Sequence, residues 1–216
     1  MAVMERARDA DLDLRVVDHH DRPETVAAAL AEVPDVVVVA IEPGPVHPLR
    51  VCREVADRAP VTRVIVVASA EHAAHAYQAL RIGAFGAIDP GAGPAELHAA
   101  AEAVAAGEAV LAPRHAGWVL RELEATGQPA PGTAPRPEQL TITERTILRL
   151  LAEGTRPQAV ADHLGVSTRV VGRHVGSALA RLHRHYRRPA AGTGGRSPAV
   201  SRRDGDRRSP STPAAG

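Results

Sequence analysis

LTITERTILRLLAEGTRPQAVADHLGVSTRVVGRHVGSALARL, residues 140–182, resolves into three short helices with a tight turn before the last. Start signals support each helix. Thr141 with Glu144 makes a T-x-x-E capping box, and Thr155 with Gln158 offers a second, with Pro157 tolerated in the first turn. Ser167 is the natural N-cap of the third helix. That third helix carries Val171, Val175, Ala178, Leu179 and Leu182 on one face, the spacing of a buried stripe. Its opposite face presents Arg169, Arg173 and Ser177. The pattern is that of a helix-turn-helix, whose last helix can pack on its neighbours while offering guanidinium forks to an anion.

Charge is distributed to match. Residues 1–128 hold 11 Arg against 19 acids, a net of −8, whereas residues 129–216 hold 15 Arg against 6 acids, a net of +9; together they give the overall +1. An acidic half joined to a basic half implies that only the second meets a polyanion. No lysine occurs, so all 26 basic residues are Arg, a bias of the kind that GC-rich bacterial genomes produce. Aromatics make up 2% of the chain, which leaves Ala, Val and Leu to fill the core. The lone Cys52 excludes an internal disulfide framework and a multi-cysteine zinc site, and is expected to be a small core side chain. No apolar run is long enough to span a bilayer and MAVMERARDAD lacks a signal-peptide stretch, so a cytoplasmic protein without membrane contact is expected.

Upstream, strand and helix patterns alternate. Strands are expected at Leu14–Val17, Val36–Ile41, Val61–Ala68 and Phe85–Ile88, and helices near Glu24–Glu32, Val46–Arg58, Glu71–Ile82 and Pro94–Ala106. Val and Ile runs without polar alternation indicate strands covered on both faces, as in a parallel sheet. The fold class is therefore an α/β doubly wound domain followed by an all-α helix-turn-helix domain. A further helix is expected at Pro113–Ala125, with Trp118, Leu120 and Leu123 as apolar contacts, and then a Pro/Gly-rich linker, TGQPAPGTAPRP. The expected boundaries are 1–110, 111–137 for the helix and linker, 138–186 for the helix-turn-helix, and 187–216 for a disordered Arg-rich tail. Nine Arg lie between Arg181 and Arg208, against Asp204 and Asp206; they supply extra nonspecific DNA affinity or merely solubilise the tail.

LT..ER..LRLLAEG from Leu140, AVADHLGVS from Ala159 and V..HV..ALARL from Val171 resemble the LuxR-type helix-turn-helix. PDVVVVAIEPG, RVIVVAS, ALRIGAFGAI and AVAAGEAVLAP are similar to the third to fifth strands and final helix of a NarL/FixJ-type response-regulator receiver, flavodoxin-like in fold. The resemblance covers about residues 12–183. It implies a bacterial transcriptional regulator, not an enzyme, that binds double-stranded DNA, needs no cofactor and has no metal site. Pairing with a second copy or with another regulator is left open. The DNA-facing residues implied are Ser167, Thr168, Arg169, Arg173, His174 and Ser177. Gly172 and Gly176 stand where family members often carry a base-contacting Lys.

The departures are chemical. Ala40 falls on the phosphoacceptor position, and Ala68 on the hydroxyl position, with Ser69 as its neighbour. Asp89 and Pro90 stand near the place of a lysine this chain cannot supply. Without a carboxylate nucleophile no aspartyl phosphate forms, so the receiver is expected to be degenerate and its control not to use Asp phosphorylation. LRVVDHHDRPETVAAALAEVPDVVVV fits the second strand, second helix and third strand, so the first strand and its acidic pair would be absent. In the rival register Leu14–Val17 is the first strand, Asp18 lies in the metal pocket, and the second strand and helix are missing. Two other functions are weighed: an interaction module with impaired DNA binding that pairs with another regulator, and a DHH-type metal phosphoesterase. The latter is suggested by Asp18, His19 and His20, but the further Asp-rich and Gly-rich motifs it needs do not occur. His72 and His75 are expected on a helix surface.

Overall fold

In the computed structural model, residues 27, 30–42, 47–126 and 139–187 are described. The expected strand at 14–17, the Asp18-His19-His20 triplet, most of the helix at 24–32, the linker and the tail lie outside them. Four parallel strands form one sheet in the order β1 (Val36–Ile41), β2 (Arg63–Ala68), β3 (Gly86–Ile88) and β4 (Val110–Leu111). The helices joining them are α1 (Pro48–Arg58), α2 (Ala73–Ile82) and α3 (Pro94–Ala105). The doubly wound expectation holds. β4 was not anticipated, because two residues carry no period; their register, Gly86 with Val110 and Ala87 with Leu111, exists only in the sheet.

β2 explains why its sequence does not alternate. Val64, Val66 and Ala68 join the core shared with α1 and α2, whereas Ile65 and Val67 join Ile88 of β3 and Leu97 and Val104 of α3 on the other face. Both faces are covered, so both need apolar side chains. Cys52 lies in the first of these cores, 2% exposed, and burial pushes its thiol up to about 12.

The C-terminal unit is α5 (Ile142–Ala152), α6 (Pro157–Leu164) and α7 (Thr168–Arg187), reached through α4 (Pro113–Thr126). Gly165, left-handed at φ 66°, ends α6 and makes the turn. All five residues expected on the inner face of α7 are buried. The α5 capping box forms in full: Thr141 Oγ1 accepts from the Glu144 amide at 3.1 Å, and the Thr141 amide donates to Glu144 Oε2 at 2.8 Å. Ser167 caps α7 by accepting from Val170 N at 3.3 Å. The second capping box does not form. Arg156 is the N-cap of α6 without a side-chain bond, Pro157 occupies the first turn, and Gln158 donates to Asp162 instead.

Two buried polar groups carry most of the electrostatic risk. Glu144, 2% exposed, also meets Arg181 of α7 at 3.3 Å, so one carboxylate caps α5 and ties it to α7. Glu144→Ala leaves Arg181 without this partner and removes the cap. Unfolding free energy, read by urea denaturation, should fall by roughly 3 kcal/mol. His115 of α4 is wholly buried beside Tyr77, with no hydrogen-bond partner on either nitrogen. Burial lowers its pKa from 6.5 to about 4, against the pull of Asp89 and with the help of Arg114. The folded ring stays neutral where the unfolded one takes a proton. Stability is therefore full above pH 6.5 and declines as pH falls towards 4, by about 3 kcal/mol in all. His115→Leu should remove this part of the acid sensitivity in urea midpoints taken across that range.

Candidate nucleic-acid interface

Ser167, Thr168, Arg169, Arg173 and Ser177 are exposed on α7 and the turn before it, and His174 is half-buried. They do not form one face. At 100° per residue, Arg173 and Ser177 lie on a stripe open to solvent, while Arg169, Gly172, Gly176, His183 and Arg187 form an adjoining stripe. This second stripe packs on the receiver-like domain. The helix thus has three faces, where the sequence pattern indicated two.

The docking is close. The Ala109 amide, just before β4, donates to the Gly172 carbonyl at 3.0 Å. A Cβ on Gly172 would lie 2.8 Å from Glu108 Cβ, and one on Gly176 would lie 3.3 Å from Phe85 Cε1 and 3.6 Å from the Gly107 carbonyl. Gly172 and Gly176 are therefore not merely lost cations; they are the notch that lets two backbones approach. Arg169 Nε meets Glu108 Oε1 at 3.1 Å, so one of the implied DNA-facing arginines is engaged by the receiver-like domain.

Further along α7, His183 stands against Phe85 with ring centroids 6.3 Å apart, and Arg187 reaches Gly83. The helix ends in an aromatic and ionic cluster that holds three of the chain's four Trp, Tyr and Phe side chains. Trp118 of α4 stacks on Tyr77 of α2 at 4.6 Å, and Arg81 lies over both Trp118 (5.2 Å) and Tyr186 (4.7 Å). Arg81 also donates to Glu122 at 2.7 Å, and the Tyr186 hydroxyl donates to the same carboxylate. Burial alone would raise the pKa of Glu122, but these two donors hold it below the ordinary carboxylate value. Burial and Glu122 together raise that of Tyr186.

The receiver positions singled out by their residue types are also placed. Ala40 is the fifth residue of β1 and pairs with Val67. Ala68 ends β2, and Ser69 beyond it shares a hydrogen bond with His72 Nδ1 at 3.0 Å. Asp89, after β3, meets Arg114 at 2.9 Å. His72 occupies the N-cap position of α2 without a side-chain capping bond, and His75 is half-buried with its ring 5.4 Å from that of His47. Among the described residues no group of three His, Cys, Asp or Glu could hold a metal ion, and no helix is long and apolar enough to cross a membrane.

Comparison with known proteins accords with this architecture. Residues 138–192 match the luxR family of bacterial regulatory proteins. The DNA-binding transcriptional activator DevR/DosR of Mycobacterium tuberculosis is 30% identical over 189 residues, covering 84% of this chain and 82% of that one. The chain belongs to the luxR-type response regulators. The transcriptional regulatory protein LiaR of Bacillus subtilis is 29% identical over 188 residues, 85% of each chain. Two solved response regulators align with this one. ChrA of a heme-sensing two-component system does so at TM-score 0.35 and 23% identity, covering 72% of this chain and 78% of its own. RcsB of Salmonella typhimurium does so at 0.36 and 21%, covering 73% and 75%.

In this response regulator the domain contact depends on two absent side chains. Gly172→Leu should force α7 from Glu108 while leaving the buried face of α7 intact. A larger radius of gyration in solution scattering, with helical content unchanged, is the expected result.

Proposed function

We propose that this response regulator is a DNA-binding transcriptional regulator whose output is set by domain docking and not by Asp phosphorylation. The carrying observation is α7 itself: it follows a tight turn, it is buried at Val171, Val175, Ala178, Leu179 and Leu182, and Arg173 and Ser177 face solvent on its open stripe. A helix of this kind fits the major groove, where arginine can donate bidentately to guanine and hydroxyls reach phosphates. Arg173 is the principal base-reading candidate. Ser167, Thr168 and His174 supply backbone contacts, and Arg169 joins them once Glu108 releases it. Double-stranded DNA is the partner, bound by one copy or by a pair with a second copy or another regulator. The cytoplasm is the compartment where that DNA is met.

The chemistry of the strand ends supports control without phosphotransfer. Ala40 offers no nucleophile, and no lysine exists to sense a phosphoryl group. Docking offers another route. With Glu108, Gly107 and Phe85 against Gly172 and Gly176, a groove about 12 Å wide could not also receive that side of α7. DNA and the receiver-like domain compete for one helix.

One observation favours a second reading, in which the helix-turn-helix serves protein pairing: glycines stand at two positions where family members often read bases. Footprinting on genomic fragments separates the two, since protection of discrete sites supports DNA reading and its absence supports pairing alone. Arg173→Ala should weaken binding to a protected site by roughly 1–3 kcal/mol, about 5- to 150-fold. Equal affinity across a salt titration would remove Arg173 from the reading set. Incubation with acetyl phosphate followed by intact mass measurement should give no aspartyl adduct.

A further inference from the structure

His183 is the one histidine on the receiver-facing stripe of α7. Its ring lies between the end of α2 and Phe85, beside the backbone of Ala84 and Leu80. Its Nε2 is buried with no hydrogen-bond partner. A proton added at Nε2 would create a buried cationic N–H with no acceptor.

The surrounding charges do not compensate. Arg187 lies one turn on along α7, and Arg63 of β2 stands over the Phe85 ring at 5.7 Å. The carboxylates on the neighbouring elements are already engaged: Glu122 of α4 by Arg81 of α2, Glu108 before β4 by Arg169, and Glu144 of α5 by Arg181. His185 packs edge-on against Tyr186, beyond the Phe85 contact.

We propose that His183 is a proton-operated latch: when Nε2 takes a proton, α7 leaves the receiver-like domain, and Arg169 with the Gly172–Gly176 stripe beside the open DNA-facing residues is uncovered. The step is a protonation only; one proton from solvent is bound and no covalent bond changes. This rests on the reading of α7 as the DNA-facing helix, but the latch has a readout that needs no DNA. Burial, backed by Arg187, holds the docked ring's pKa at about 4, below the ordinary 6.5 expected of a ring released to solvent. The neutral ring favours docking above pH 6.5, and docking weakens as pH falls from there towards 4.

The Ala109 amide reports the interface directly, because its acceptor is the Gly172 carbonyl across it. In the full chain, its hydrogen-exchange protection, corrected for intrinsic pH dependence, should fall about tenfold between about pH 7.5 and 5.5. In His183→Gln it should change less than about twofold, which also separates the latch from His115. An equal fall in both proteins overturns the proposal. Should His183→Gln fail to fold, the His183 ring resonance decides. It should titrate well below the ordinary imidazole range in the native chain and near that range in Gly172→Leu, and the same pKa in both overturns the latch. Anisotropy with double-stranded DNA completes the test. Acid-dependent loss of Ala109 protection without DNA binding at any pH keeps the latch and defeats the DNA reading; binding that rises in step with opening supports both.

Discussion

The close approach of α7 to the loop between α3 and β4 is the contact on which the arrangement of the two domains depends. It is possible only because positions 172 and 176 have no Cβ: with any other residue, Glu108 and Phe85 would be displaced. The glycines weaken the helix by about 1 kcal/mol each relative to alanine, a cost offset here by a backbone hydrogen bond to Ala109 and by burial of both positions. A lysine pointing towards DNA and a glycine admitting the receiver-like domain are incompatible demands on one position. This chain has satisfied the second.

Around that contact, charge is arranged in closed pairs. Glu108 holds Arg169, Glu122 holds Arg81 with Tyr186, and Glu144 holds Arg181. The exposed pairs add little individually. The Glu144 pair differs because its carboxylate is buried and serves both as the α5 cap and as the α7 tie, making it part of the helix-turn-helix framework. Arg169 joins the two domains through Glu108. The acidic domain therefore presents α7 with a carboxylate.

The receiver-like sheet is packed on both faces, with apolar side chains along its central strands. Val and Ala fill the strand ends, Ser69 is drawn into a bond with His72, and Asp89 into an ion pair with Arg114. A domain of this composition still provides a rigid platform, because its core needs apolar volume and not the catalytic set. α7 docks on this platform, with His183 against Phe85 at the seam.

The sequence by itself determined the elements whose signals are local: the Val-rich strands β1 and β2, the α5 capping box at Thr141 and Glu144, the Ser167 cap and the buried stripe of α7. Each follows from period or from a bond spanning three residues, so neighbours in sequence suffice. That position 40 carries no carboxylate is equally legible, because it is a matter of residue type at Ala40. Only the tertiary structure decided what Gly172, Gly176 and His183 do. Their partners Glu108, Phe85 and Ala84 lie 64 to 99 positions away in the chain. A missing Cβ carries no sign of what fills its space. A stripe of glycine, histidine and arginine has no hydrophobic period, and so it reads as solvent-facing until the surface it packs against is in place.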